Sequence, residues 1–342
     1  MSSPCERVRE STARVVSNLS LLRVDTAATS ALATKLAASW AAGAAAGGAG
    51  ADVDAAASAA WGESGWHYTV ADAARAGDPA LLCQYVLVLS AVNRCFWPSS
   101  SGLEYEDVAR GLARVLRADA AAFDAGALSR VSADTVRAWL SPHDVPDADG
   151  RAAALREVGA ALDGSFGGRA AALVAAAGGS AQALVGLVLA HLPAFRDEAA
   201  HAAGAVCFYK RAQIFAADVW AAHGAHTRAG ASAAAFGDVA ALTCFADYRL
   251  PQLLRAEGVL VYAPALAAAV DARAELPAGG AAEVEIRAAT VQVVEALRAA
   301  VQKACPSCQP PLAIHIDWML WSLGETARDT LPPHHRTRTI FY

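Results

Sequence analysis

At 342 residues the chain can hold one large domain or two ordinary ones, with an ample core. Alanine lifts the hydrophobic fraction to 55%, yet no run reaches the ~18 consecutive bulky apolar residues of a spanning helix, so no membrane segment is expected. The formal net charge of −5 argues against a protein that holds a long stretch of nucleic acid, which would need a basic surface.

Alanine is the best helix former, so the composition leans to helix throughout. Residues 2–28 carry Val8, Ala13, Val15, Val16, Leu19, Leu21 and Leu22 at roughly helical spacing and predict an N-terminal helix. No cationic start leads into an apolar run there, so no signal peptide is expected. Residues 29–60 form an Ala/Gly-rich low-complexity stretch, in which Gly43, Gly47, Gly48 and Gly50 predict a helix followed by a loop. The remainder, 61–342, is expected to be one helical domain. Bulky apolar density rises from Pro79 to Trp97, which reads as a buried helix running into extended backbone before Pro98. Val88–Trp97 reads equally well as a strand, because an all-apolar run is ambiguous.

Short helices follow at about 104–117 and 133–140, then a loop over 141–149. Further helices are predicted at 151–163, 169–176, 180–190 and 205–223. Asp238 suits the N-cap of a helix running to about Phe245. Helices at 250–257, stopped by Gly258, and at about 264–273, opened by Pro264, come next. Glu283–Lys303 places Val291, Val294, Leu297 and Val301 on one face, and a last helix covers about 312–325. The tail 332–342 alternates and is expected to be extended. Strand and helix do not alternate as a parallel sheet would require. The fold class is therefore mostly α, with few short strands.

Seven cysteines, an odd number mostly in apolar contexts, suit a reducing compartment. Cys305-Pro-Ser-Cys308 is a lone CxxC without the second pair of a structural zinc site, and is expected to be a helix-terminal turn with incidental thiols. His334 and His335 would point to opposite faces of a strand, which makes joint chelation poor; an anion-binding tail with Arg336 and Arg338 competes with plain solvated surface. Gly164-Ser-Phe-Gly-Gly168 lacks the Lys and Ser/Thr of a phosphate-binding loop, and no Gly-x-Ser-x-Gly is present.

The informative charges are those set among apolar neighbours. Residues three and four apart share a helix face. Around Asp317 these are Ala313, Ile314, Leu320 and Trp321; around Asp218 they are Ile214, Phe215, Ala221 and Ala222. Lys210 is flanked by Val206, Cys207, Gln213 and Ile214. Asp247 lies between Phe245 and Tyr248, with Arg249 beside it. Buried charges are costly unless paired, so such residues are structural ion pairs or functional groups. Lys210 either pairs with a carboxylate such as Asp218 or Asp247, or meets a substrate phosphate.

These segments resemble the queuosine salvage proteins, the queuosine 5′-phosphate N-glycosylases. The resemblance is carried by Asn93 with Phe96-Trp97, Arg156-Glu157, Phe166-Gly-Gly168, Phe195-Arg-Asp197, Phe208-Tyr-Lys-Arg-Ala-Gln213 and Ala217-Asp218 with Trp220. It continues through Phe245-Ala-Asp-Tyr-Arg-Leu-Pro-Gln252, Glu283-Val-Glu-Ile-Arg287, Asp317 with Leu320-Trp321, His335-Arg336 and Tyr342, from about residue 60 to the end. Three departures stand out. Leu103–Arg110 replaces an aromatic, serine-containing segment, Trp318 stands where the family usually has Tyr, and residues 29–60 look lineage-specific.

The resemblance implies a mostly helical single domain similar to helical DNA glycosylases. It also implies hydrolysis of the N-glycosidic bond of queuosine 5′-phosphate, releasing queuine for tRNA modification. It implies no metal and no organic cofactor, with a small nucleotide as partner; from charge, composition and cysteine usage the chain is expected to hold no nucleic acid directly, to have no membrane segment and to be a cytoplasmic monomer. An oxocarbenium-like state favours a carboxylate near C1′, the place expected for Asp247, with Lys210 beside it in the catalytic set. Asp317 is expected to bind the amine on the queuine side chain. Trp97, Phe245 and Trp318 are candidates to stack on the base, and His67 falls at a pocket position. Lys210, with Arg211 or Arg336, is a candidate for the 5′-phosphate; Arg249 and His335 complete the expected binding set, and Asp218 is expected to be structural. The competing readings are a helical nucleic-acid-binding or DNA-repair protein and a helical interaction scaffold.

Overall fold

The computed structural model describes residues 2–46, 61–227 and 234–342. Residues 47–60, most of the glycine-rich half of the low-complexity stretch, lie outside the described residues. Among the described residues, helices run at α1 (Pro4–Val16), α2 (Thr26–Ala46), α3 (Val70–Arg75), α4 (Leu81–Val92), α5 (Tyr105–Ala118), α6 (Ala125–Leu128), α7 (Ala133–Trp139) and α8 (Ala148–Ser165). They continue with α9 (Ala170–Ala176), α10 (Ala181–His191), α11 (Lys210–Thr227), α12 (Arg249–Ala256), α13 (Pro264–Asp271), α14 (Ala281–Ala304) and α15 (Ala313–Thr326). The strands are short: β1 (Leu22–Val24) pairs antiparallel with β4 (Leu260–Tyr262), and β2 (Glu198–His201) with β3 (Gly204–Cys207). The fold is mostly helical, as the composition predicts. No described helix is long and apolar enough to cross a membrane.

The chain forms two compact units that are interleaved along the sequence. The first gathers Met1–Val53, Asp197–Lys210 and Ala240–Arg338; the second gathers Asp54–Arg196, Arg211–Val239 and Thr339–Tyr342. In the second unit, all twelve residues of α4 are buried. A helix that is apolar all round belongs at a core centre, and α5, α8 and α9 pack on it. This settles the run to Trp97 as helix up to Val92.

In the first unit the organising element is α14, with α1, α2, α12 and α15 packed against it. Its C-terminal half buries one stripe, Val294, Leu297 and Val301, while its first half is buried all round, including Glu283, Glu285 and Arg287. Glu285 accepts from the Ser20 and Leu21 amides and the Ser20 hydroxyl, which clamps the turn before β1. On α2, Leu32, Ala33, Leu36, Ala37 and Trp40 are buried on one face, so the alanine-rich sequence is a packed helix that runs through Gly43.

Four local expectations are corrected. The N-terminal helix ends at Val16 rather than 28, because Leu22 pairs with Tyr262 in a strand. The helix expected from residue 205 starts at Lys210, because Gly204, at φ +108°, closes a β2–β3 hairpin first. Cys305 and Cys308 do form a turn past α14, but the two sulfurs are bonded; Cys83, Cys95, Cys207 and Cys244 are buried thiols. Asp238 does not open a helix to Phe245. Its carboxylate accepts from Ser180 Oγ and the Ala181 amide, both at 2.6 Å, and so caps α10 from a distance in sequence.

These hydrogen bonds hold the Asp238 carboxyl below its usual range against the opposing effect of burial. Replacing a capping carboxylate by alanine costs about 1–2 kcal/mol. Asp238→Ala should lower the urea midpoint by an amount of that size, and an unchanged midpoint would show that this cap contributes nothing.

Candidate active site

Asp197 stands just before β2, and its carbonyl and carboxylate receive the chain as it leaves β3. The Phe208 amide donates to its backbone oxygen at 2.9 Å, and the Lys210 amide donates to Oδ2 at 3.3 Å. Between them Tyr209 sits at φ +52°, the left-handed region that non-glycine residues enter only when their surroundings hold them there. This sharp turn sets the start of α11 and thereby the Lys210 side chain.

Arg287 closes the arrangement from α14. Its guanidinium grips Asp197 with both terminal nitrogens, Nη2 to Oδ2 at 2.6 Å and Nη1 to Oδ1 at 3.0 Å. Nη1 also reaches Glu283 at 3.1 Å, and Nε donates to the Ala246 carbonyl at 3.0 Å. The guanidinium lies 3.9 Å over the Phe208 ring. Arg287, Asp197 and Glu283 are all buried, and a planar five-donor fork is the group able to satisfy so many acceptors at once.

Asp247 follows the carbonyl that Arg287 holds. Its Oδ1 accepts from the Arg249 amide at 2.8 Å and the Leu250 amide at 3.4 Å, at the start of α12; amides at a helix start suit a carboxylate. Its Oδ2 lies 3.3 Å from Lys210 Nζ. Asp317 projects from α15 and accepts from the Phe245 amide at 2.7 Å. Burial pushes the Asp317 carboxyl up to about 7; the Phe245 amide opposes the rise, Asp247 adds to it, and Lys210 opposes it.

The flank of the site is built from α12 and the tail. Arg249 donates to Glu325 at 2.6 Å and Gln252 at 2.7 Å, and Gln252 donates to the Pro332 carbonyl at 2.7 Å. Gly324 leaves room for this: a Cβ there would lie 3.0 Å from Arg249 Cδ. Tyr248 stacks on His334 with ring centroids 4.4 Å apart. His334 Nδ1 lies 2.7 Å from the His335 carbonyl, so Nδ1 carries the proton and Nε2 is the acceptor. Burial lowers the His334 pKa, with Arg249 and Arg336 acting in the same direction and Asp247 against it.

A family model described as queuosine salvage protein matches residues 74–342. The chain belongs to the queuosine salvage protein family. A relative from Dictyostelium discoideum is 41% identical over 284 residues, covering 82% of this chain and 85% of its own. One from Sphaerobacter thermophilus is 41% identical over 271 residues, 76% of this chain and 81% of its own. One from Bos taurus is 31% identical over 288 residues, 78% and 83% respectively. All three are named queuosine 5′-phosphate N-glycosylase/hydrolase.

Of the residues singled out in this salvage-family sequence, Lys210, Phe245, Asp247, Arg249 and Asp317 come together in the first unit. Lys210 takes Asp247 as its partner, which decides between the two carboxylates the sequence left open. Arg249 is committed to Glu325 and Gln252. Trp318 is half-buried beside His315, at 5.9 Å between centroids, with Trp40 on the other side of His315 at 5.4 Å. His335 is fully buried, and burial lowers its pKa to about 3. Arg336 is half-buried, bridged through its backbone to Glu275 and Leu276.

Four others lie in the second unit. His67 stacks on Trp61 at 3.7 Å, contacts the Tyr85 hydroxyl at 3.3 Å, and is pushed by burial to a pKa of about 3. It also precedes the family match. Trp97 is half-buried. Arg211 is buried over the Phe195 ring and donates to the Ala91 and Ala194 carbonyls, which ties backbone together. Asp218 is buried on α11; burial pushes the Tyr105 and Tyr85 phenols up, and the Asp218 charge adds to the rise. Sequence reasoning gave no site role to Arg287, Asp197, Tyr248 or His334. Arg287 carried only part of the signal that marked Asp317: Val284 and Val291 share its face, but so do Glu283 and Thr290. Among the described residues no three His, Cys, Asp or Glu side chains converge as metal ligands.

The raised Asp317 pKa makes a signed prediction. Between the ordinary carboxylate value of 3.8 and about 7, the folded protein keeps a proton that the unfolded chain has lost. Stability from this group is full below that window and falls as pH rises through it, by on the order of a few kcal/mol. Asp317→Asn keeps an acceptor for the Phe245 amide and should flatten the stability profile from pH 4 to 7 and exceed the native protein at pH 8. Equal slopes in urea titrations of both proteins would show that Asp317 ionises normally.

Proposed function

We propose that this chain hydrolyses the N-glycosidic bond of queuosine 5′-phosphate, releasing queuine and ribose 5-phosphate, with Asp247 at the reacting carbon. The relatives' names support the hydrolase over the nucleic-acid-binding reading. The observation that carries the chemistry is a charge imbalance among the described residues: Asp197, Glu283 and Asp247, with Asp317 beside them, face Lys210 and Arg287, while Arg249 is taken up by Glu325. Such a site is ready for positive charge. The substrate brings two: an amine on the queuine side chain, and the oxocarbenium character that C1′ gains as the bond breaks.

Asp247 faces C1′. The bond electron pair leaves with the base, the oxygen of a water adds to C1′, and Asp247 accepts the water proton. The 7-deazaguanine base has no N7 to protonate; the proton that Asp247 takes from water is passed on, directly or through solvent, to the nitrogen that was bonded to the sugar, which leaves Asp247 ionised for the next turnover. Stabilisation of the sugar cation therefore carries much of the barrier reduction. Asp317 receives the ammonium, which supplies the countercharge that burial makes it lack. Phe245 and Trp318 supply apolar faces for the base. Lys210 orients Asp247 through their ion pair, and Arg336 is the tail cation offered to the 5′-phosphate. The same reading expects a monomer, and a cytoplasmic one; the buried free thiols suit that compartment, and the bonded Cys305–Cys308 pair does not add to it.

Asp247→Asn should lower kcat at least about a hundredfold, the scale for losing a general base or electrostatic stabiliser, with the melting temperature preserved. Mass spectrometry of released queuine reads this out, and an active Asp247→Asn enzyme removes Asp247 from the chemistry. Lys210→Ala should lower kcat by roughly tenfold or more with KM within about threefold, as for an interaction that matters in the transition state. A loss confined to KM would assign Lys210 to the phosphate instead.

A further inference from the structure

We propose that the buried Arg287–Asp197 pair is a positioning device for the reaction, which fixes Lys210 and Asp247 against each other. The argument is one of connectivity. Asp197 Oδ2 receives the amide of Lys210 itself, and Arg287 Nε holds the carbonyl of Ala246, the residue before Asp247. The two ends of the Lys210–Asp247 ion pair are thus each one bond or one residue from a group that a single guanidinium grips. The Lys210 end also depends on Tyr209 staying at φ +52°; the Asp197 carbonyl holds the amides leading into that kink, Phe208 at 2.9 Å and Tyr209 at 3.4 Å, and its carboxylate holds the amide beyond it, Lys210 at 3.3 Å. Without Asp197 in place, the first turn of α11 has no reason to start where it does. Neither Arg287 nor Asp197 is itself placed at the substrate, so both act through Lys210 and Asp247. A misplacement of about 1 Å far from the chemistry can cost on the order of a hundredfold in rate.

Asp197→Asn is the informative variant. It keeps an acceptor for the Lys210 amide and leaves Arg287 paired with Glu283, so the buried guanidinium is not left without a carboxylate. The proposal rests on the hydrolase reading for its kinetic test. Asp197→Asn should lower kcat for queuosine 5′-phosphate roughly tenfold in the native background, with KM within about threefold, but by less than about twofold in Lys210→Ala, because residues acting through one another are not additive. The same factor in both backgrounds is the signature of a merely structural role and overturns the proposal. A crystal structure of Arg287→Lys, which keeps the charge and loses the fork, supplies the second measurement. Lys210 Nζ and Asp247 Oδ2 should part beyond 4 Å, and a retained 3.3 Å pair overturns the proposal whatever the substrate is. Native protein that releases no queuine would instead count against the hydrolase reading alone, since the crystallographic distance does not depend on it.

Discussion

The guanidinium of Arg287 is the constraint on which the first unit's site depends. It takes in both oxygens of Asp197, one of Glu283 and the carbonyl of Ala246, and lies on the Phe208 ring. Removing such charges from water costs several kcal/mol per ion, and the ion pairs recover that cost only with near-ideal geometry. A pair of apolar residues of the same volume would stabilise the unit as well or better. What apolar packing cannot do is fix direction. Hydrogen bonds to four separate acceptors specify where three chain segments meet, and those are the segments that carry Lys210, Asp247 and the front of α14.

Direction matters because the residues that meet here sit in loops and at the ends of elements. The β2–β3 hairpin has four residues a strand, too short to be stable in isolation. Asp247 sits in the loop before α12, held at its own carboxylate by two amides. Asp317 rides on α15 and is tied back to that loop through the Phe245 amide. The site is an irregular loop braced at three points by buried charge.

Much of the fold was legible because its helices are long and one-sided. The stripe Val291, Val294, Leu297, Val301 is enough to place α14 within two residues, and Asp317 among Ala313, Ile314, Leu320 and Trp321 marks α15 as a helix with a buried charge. What failed was what long-range contacts decide. Leu19, Leu21 and Leu22 extend the helical spacing of α1, but Leu22 serves a strand that needs Tyr262. Asp238 obeys the local rule for a cap, yet the helix it caps begins at Ala181. The site shows the same division. Single buried charges were visible, because each breaks an apolar pattern. Their pairing was not, since a sequence does not say that Lys210 meets Asp247 rather than Asp218, or that Arg249 meets Glu325 across 76 positions.

Burial is the main cause of the raised Asp317 pKa: its carboxylate is cut off from water, the Asp247 charge adds to the penalty, and near neutrality the proton is held against the Phe245 amide and Lys210. Among the described residues, Asp197, Glu283 and Asp247 face Lys210 and Arg287, one negative charge in excess. On the proposed reading, that proton and the substrate's ammonium compete for one carboxylate. The ammonium enters as the proton leaves, and binding adds little net charge to the site. The remaining excess stays on the Asp247 side, where no ground-state charge of the sugar answers it. It is answered only as C1′ becomes cationic, and an interaction that strengthens solely in the transition state raises turnover rather than affinity.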